Sequence, residues 1–156
     1  MKPNIEISDK NRQAVADILN TLLSDEYMLY TQTRNAHWNI TGNNFCELHK
    51  FFESQYGIID EIIDAVAERV RSLGHYSLGS LNDFLSLSRI SENSELSKES
   101  AAIQSLLTGH ETIIQALRKE IPSVTDKYLD LGTADFITGI MEQHEKMAWM
   151  LRAHLV

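Results

Sequence analysis

From Val15 the chain repeats apolar residues at three- and four-residue steps: Val15, Ile18, Leu19, Leu22, Leu23 and Leu29. That period marks a helix burying one face. Neither proline nor glycine interrupts it before Gly42. Ser8 can cap the first free N–H groups, and Asp9 suits the positive end of the helix dipole. The pattern predicts a helix over about 9–39. Gly42-Asn43 supplies a turn, and Asn44 with Glu47 three positions on resembles a capping box. A second helix follows over about 45–73, with Gly74 as its stop. Residues 75–97 form a long connection in which SLNDFLSLS reads as a short helix capped by Ser80. A third long helix runs over about 98–121 and ends at Pro122. Thr133 caps the fourth, which carries Phe136, Ile137, Ile140, Met141, Met147, Met150 and Leu151.

Four long helices with one long crossover predict an all-α fold. The expected architecture is a four-helix bundle of ferritin-like connectivity, its B–C crossover containing a short helix. One domain over 1–156, with a short tail at 1–8, accounts for the whole chain.

Composition narrows the function. The net charge of the 156-residue chain is −8, which attracts cations and repels nucleic acid. One cysteine, Cys46, allows no internal disulfide and fits a reducing compartment. MKPNIEISDK carries no apolar leader, and no apolar run approaches the ~20 residues that span a bilayer. The expected location is the cytoplasm, with no membrane partner.

Candidate chemistry lies on the second helix. At ~100° per residue, His49, Glu53, Asp64 and Glu68 share an arc of roughly 100°. Such a face is ordinarily just the wet side of a helix. Length makes a different reading testable. Glu53 and Asp64 lie ~16 Å apart and His49 and Glu68 ~28 Å apart at ~1.5 Å per residue, whereas metal–ligand bonds are ~2.0–2.3 Å. One straight helix cannot bring both pairs to one ion. Both pairs, however, share a midpoint between Ile58 and Ile59. Two copies packed antiparallel about that point would set His49 and Glu53 of one against Asp64 and Glu68 of the other, twice over, as an isologous dimer requires. Gly57 and the isoleucines 58, 59, 62 and 63 suit a close crossing there. His37 lies across the short turn and can join His49 and Glu53. Mixed imidazole and carboxylate ligands suit iron, manganese or zinc, and several carboxylates favour an ion that alternates between +2 and +3. The Glu-x-x-His motif of intrasubunit di-iron bundles is absent: Glu47, Glu61, Glu111 and Glu142 are followed by Lys50, Asp64, Ile114 and Glu145.

The run His37-Trp38-Asn39, then Gly42, Phe45, Leu48-His49, Glu53, Asp64 and Ala67-Glu68-Arg69 resembles the Dps family, the mini-ferritins named as DNA-binding proteins from starved cells. The similarity covers nearly the whole chain, including the closing TADFITGIMEQHEKMAWMLRAHL. The resemblance implies a hollow dodecameric shell with ferroxidase sites at its two-fold interfaces. There Fe2+ is oxidised, with hydrogen peroxide as the favoured oxidant, and ferric mineral is stored inside as a stress response. It implies His37, His49, Asp64 and Glu68 as iron ligands. Some relatives carry Asp at position 53, where this chain keeps a carboxylate one methylene longer. It also implies that Asp135 lines a three-fold iron-entry pore, with Asp126 and Asp130 as weaker candidates. The other reading of Asp135 is an acid in the first turn of a helix.

Trp38 reads either as an electron donor beside His37 or as a core or interface aromatic. His110, His144 and His154 have no acids at ligand spacing and read as surface or packing residues, His75 as a loop residue, and Cys46 as a buried, inert thiol. DNA-binding members commonly use a Lys-rich tail. Here Lys2 stands against Glu6, so DNA is not expected as a partner. The alternative functions are a DNA-compacting protein with incidental iron, and a cage whose metal sites have decayed.

Overall fold

The structure, a computed structural model, describes residues 3–155. Its long helices are α1 (Asp9–Asn39), α2 (Phe45–Ser72), α4 (Glu99–Pro122) and α5 (Leu131–Ala153), with the short α3 (Leu81–Leu87) in the crossover. Helices α1 and α2 form one hairpin and α4 and α5 another, and the two pack into one bundle. The expected all-α, ferritin-like bundle is what forms. Its core takes Leu19, Leu22 and Leu29 from α1, Phe52, Ile59 and Val66 from α2, Ile103, Leu106 and Ile113 from α4, and Ile137 and Leu151 from α5. Each such side chain contributes roughly 1.5–3 kcal/mol by leaving water.

The boundaries follow local chemistry. The Ser8 hydroxyl accepts from the Asn11 N–H at 3.2 Å and starts α1, and Ser80 accepts from Asp83 to start α3. Gly74 closes α2 at φ +86, where a Cβ would also meet the Pro3 ring at 2.6 Å. Arg12 donates to the Pro3 carbonyl at 2.6 Å, so the segment before α1 is tied down from its first described residue.

Three expected boundaries differ. Asn44 stands at the cap position of α2 but its amide donates to Glu99 at 3.0 Å, joining the starts of α2 and α4 instead of closing a capping box. Pro122 does not end the third long helix; it sits in its last turn, and a π-helical turn (Ser123–Lys127) continues the rod. The cap of α5 is Asp130, not Thr133: its carboxylate accepts from the Thr133 N–H at 2.9 Å and hydroxyl at 2.6 Å. Arg69 of α2 donates to Asp130 at 3.2 Å and Thr133 at 2.9 Å.

The crossover is fastened to α1. Buried Asp25 accepts from the Arg89 backbone N–H at 2.6 Å and Nε at 2.7 Å. Gln32 donates to the Ser91 carbonyl at 2.7 Å, and Tyr27 stacks on Phe84 of α3 with ring centres 4.4 Å apart.

Candidate metal centre

The end of α1 and the start of α2 meet through two histidines. The His37 and His49 rings stack 3.7 Å apart at 20°. The contact is reciprocal: His37 Nδ1 lies 2.7 Å from the His49 carbonyl, and His49 Nδ1 lies 2.8 Å from the His37 carbonyl. A carbonyl oxygen only accepts, so each Nδ1 must carry the hydrogen and donate. Each Nε2 is left with its lone pair. A backbone carbonyl on Nδ1 is the usual device that fixes an imidazole tautomer and orients it toward a metal. The chain thus presents two fixed imidazoles, both disposed to bind a cation through Nε2. The Gly42 turn (φ +131) makes this possible by bringing the helix ends together.

Aromatic rings frame the pair. Phe45 lies 5.2 Å from His49, and the Tyr56 edge meets His37 at 5.2 Å and 83°. The Arg34 guanidinium sits over three rings, 4.8 Å from Tyr56, 4.9 Å from Trp38 and 5.5 Å from Tyr30. Its Nη1 donates to the Tyr30 hydroxyl at 2.8 Å. That hydrogen bond, more than any neighbouring charge, holds Arg34 in its charged form.

The three expected carboxylate ligands follow along α2, Glu53 one turn on from His49 and Asp64 and Glu68 farther away. Glu53, Asp64 and Glu68 are exposed along α2. Among the described residues of one chain, no three His, Cys, Asp or Glu side chains converge as a metal cradle. Near the shared midpoint Gly57 is exposed and Ile58 is 38% exposed, whereas Ile59 and Ile62 are buried in the subunit's own core. Only Ile58 and half-buried Ile63 of the four isoleucines face outward.

Other positions change meaning. Asp135 is exposed but lies beyond the first turn of α5, which starts at Leu131 and holds no acid there; the helix-dipole reading therefore fails. Asp130 is 2% exposed and occupied by Arg69 and Thr133, so it is an anchor and not a pore residue. Cys46 is exposed, not buried. Trp38 is 62% exposed, and so is not a core aromatic. His154 packs on Phe51.

Sequence reasoning missed one cluster. Glu26 of α1, His144 of α5 and His110 of α4 are fully buried in the bundle. His144 Nε2 lies 2.8 Å from Glu26 Oε1 and its Nδ1 lies 2.9 Å from His110 Nδ1. Each stands on its helix's apolar stripe, at a position where a leucine would be expected. That displacement is the signal that spacing along the chain could not give.

A ferritin-like domain model matches residues 16–156. A low temperature-induced protein of Nostoc sp. is 41% identical over 153 residues, covering 97% of this chain and 86% of its own. DNA protection during starvation protein 2 of Bacillus anthracis is 32% identical over 147 residues, covering 93% of this chain and 98% of its own. Among solved structures, the Dps protein of Vibrio cholerae O1, described as a member of a broad superfamily of ferritin-like diiron-carboxylate proteins, superposes with a TM-score of 0.93 at 30% identity. That match covers 100% of this chain and 98% of the other.

Proposed function

The chain belongs to the ferritin-like family and, within it, to the Dps proteins, and on that footing we propose that it is a ferroxidase that stores and detoxifies iron. The observation that carries this reading is the reciprocal His37–His49 pair, whose carbonyl-bound Nδ1 atoms leave both Nε2 lone pairs for a cation. Fe2+ is the substrate. His37, His49 and Glu53 of one subunit hold it together with the Asp64 and Glu68 positions of a second copy packed antiparallel along α2. Exposed Gly57 and Ile58 at the midpoint of α2 support that contact.

Hydrogen peroxide takes the electrons. The carboxylates favour the Fe3+ product, because hard anionic oxygens stabilise the higher charge. The subunits close into a dodecameric shell, Asp135 lines its iron entry, and ferric mineral accumulates inside, protecting the cytoplasm from iron-driven oxidation. Acid weakens the site, since both imidazoles must bind without a second proton. A DNA-compacting role finds no support in a subunit of net charge −8.

Mixing two inactive variants tests the shared site. His49→Ala and Asp64→Asn each remove one half of every centre, so each alone should fail to form ferric iron after anaerobic Fe2+ loading and added peroxide. Random reassembly of equal amounts makes half the dimers mixed. Each mixed dimer carries one intact site of its two, so about a quarter of the unmutated capacity should return. A mixture that stays as inactive as its components refutes the two-subunit centre.

A further inference from the structure

We infer that Glu26, His144 and His110 form an acid-operated latch between the two helical hairpins, one that keeps α4 against α1 at neutral pH and releases it in mild acid. The latch stands on the bundle alone and is independent of the ferroxidase reading. Glu26 belongs to the first hairpin, His110 and His144 to the second. All three are fully buried. His144 bridges the other two, 2.8 Å from Glu26 Oε1 and 2.9 Å from His110 Nδ1, with the two imidazole centres 5.0 Å apart.

His110 is the member that acid acts on. Its Nδ1 meets another imidazole, and its Nε2 meets no polar partner among the described residues. A charged His110 would point an N–H into apolar surroundings and touch no carboxylate, since Glu26 lies on the far side of His144. No second charge is at hand. The buried positions of α2 carry no ionisable group, and those of α4 and α5 carry only the two histidines. On α1, Asp25 is turned to the crossover and held by Arg89, while buried Arg12 and His37 lie about three turns or more from Glu26. From the crossover, apolar Ile90 faces Gly109. The core has no room for a counter-charge either: α4 runs so close to α1 that a Cβ on Gly109 would lie 2.7 Å from Leu29.

His110 therefore takes a proton only when α4 leaves α1. Water is close by: a cleft of about 610 Å³ between α4 and the crossover is lined by the adjoining Gly109 and by Ile90. Once wet, the imidazole binds a proton near its ordinary value of ~6.5, and the bound proton holds the latch open. Linkage sets the size of the effect. The closed form refuses the proton and the open form accepts it, so between pH ~7.5 and ~5.5 the open population rises about tenfold. Acid thus turns a closed wall of the bundle into one that water can enter.

Hydrogen exchange of the whole assembled protein, read by mass spectrometry at pH ~7.5 and ~5.5 and corrected for the intrinsic pH dependence of amide exchange, follows the latch. Peptides covering 106–113 should open about tenfold more often at the lower pH. His110→Gln keeps a side chain that can bond His144 but takes no proton, and should lose most of that rise. His154→Gln, at a histidine outside the latch, should keep it. The unmutated protein supplies a second reading in the exchange of the imidazole C2–H, whose rate follows the titration of the ring itself. His110 should exchange more slowly than half-buried His154, and in step with the opening of the 106–113 amides. An ordinary His110 titration while those amides stay protected, a rise undiminished in His110→Gln, or no rise in the unmutated protein overturns the latch.

Discussion

Replacing His110 with Gln should make the bundle resist acid better than the unmutated protein does. His110 is fully buried on α4 and faces His144 of α5 through two Nδ1 atoms 2.9 Å apart. Glu26 of α1 holds the far nitrogen of His144 at 2.8 Å, and the buried positions of α2 carry no ionisable group. One proton fits between two facing nitrogens. A second sets two N–H groups against each other in a dry core. Burial therefore pushes the His110 imidazole well below its usual range, and His144 pushes it the same way. In the unfolded chain the same imidazole takes up a proton near 6.5. As pH falls through that value the unfolded state binds a proton that the folded state refuses, so stability falls with pH. The slope is at most about 1.4 kcal/mol per pH unit, which gives a loss of about 2 kcal/mol by pH ~5. A glutamine does not titrate, and its amide can still hydrogen-bond His144. Urea unfolding at fixed subunit concentration, compared between pH ~7.5 and ~5, reads the effect, because subunit association enters both proteins alike. His110→Gln should lose about 2 kcal/mol less than the unmutated protein over that interval. Equal losses would show that His110 does not refuse a proton in the fold.

Asp25→Asn should loosen the crossover: it removes one charged acceptor from Arg89 and its backbone N–H, costs about 2–4 kcal/mol in urea unfolding, and exposes residues 88–97 to limited proteolysis. Gly74→Ala should lower the melting temperature through a destabilisation of about 1–2 kcal/mol, since the position has φ +86 and a Cβ there would lie 2.6 Å from the Pro3 ring; an unchanged melting temperature would refute both the backbone strain and the clash. Duplex DNA should show no mobility shift with the protein even at low salt, given −8 per subunit, and a shift persisting without divalent cations would count against the charge argument.

The four long helices were legible because their apolar residues recur at helical spacing; Ser8 caps the first of them where expected, and Ser80 caps the short α3. The ends were harder, because local signals were overruled by contacts far away in sequence. Thr133 is a good cap by type, but Arg69 fixes Asp130 three residues earlier, and Asn44 is drawn to Glu99 across 55 positions. The metal centre was legible in composition but not in tautomer. Spacing could bring His37 and His49 together; only the backbone carbonyls show which nitrogens are free. The Glu26–His144–His110 chain escaped because it was sought as a motif along one helix, and it is built instead from one residue on each of three. A polar residue at a leucine position is costly unless another helix answers it, so Glu26 between Leu22 and Leu29, His110 between Leu106 and Ile113, and His144 between Ile140 and Met147 already imply one another. In a bundle, the useful question about an ionisable residue on an apolar stripe is which other stripe carries its partner.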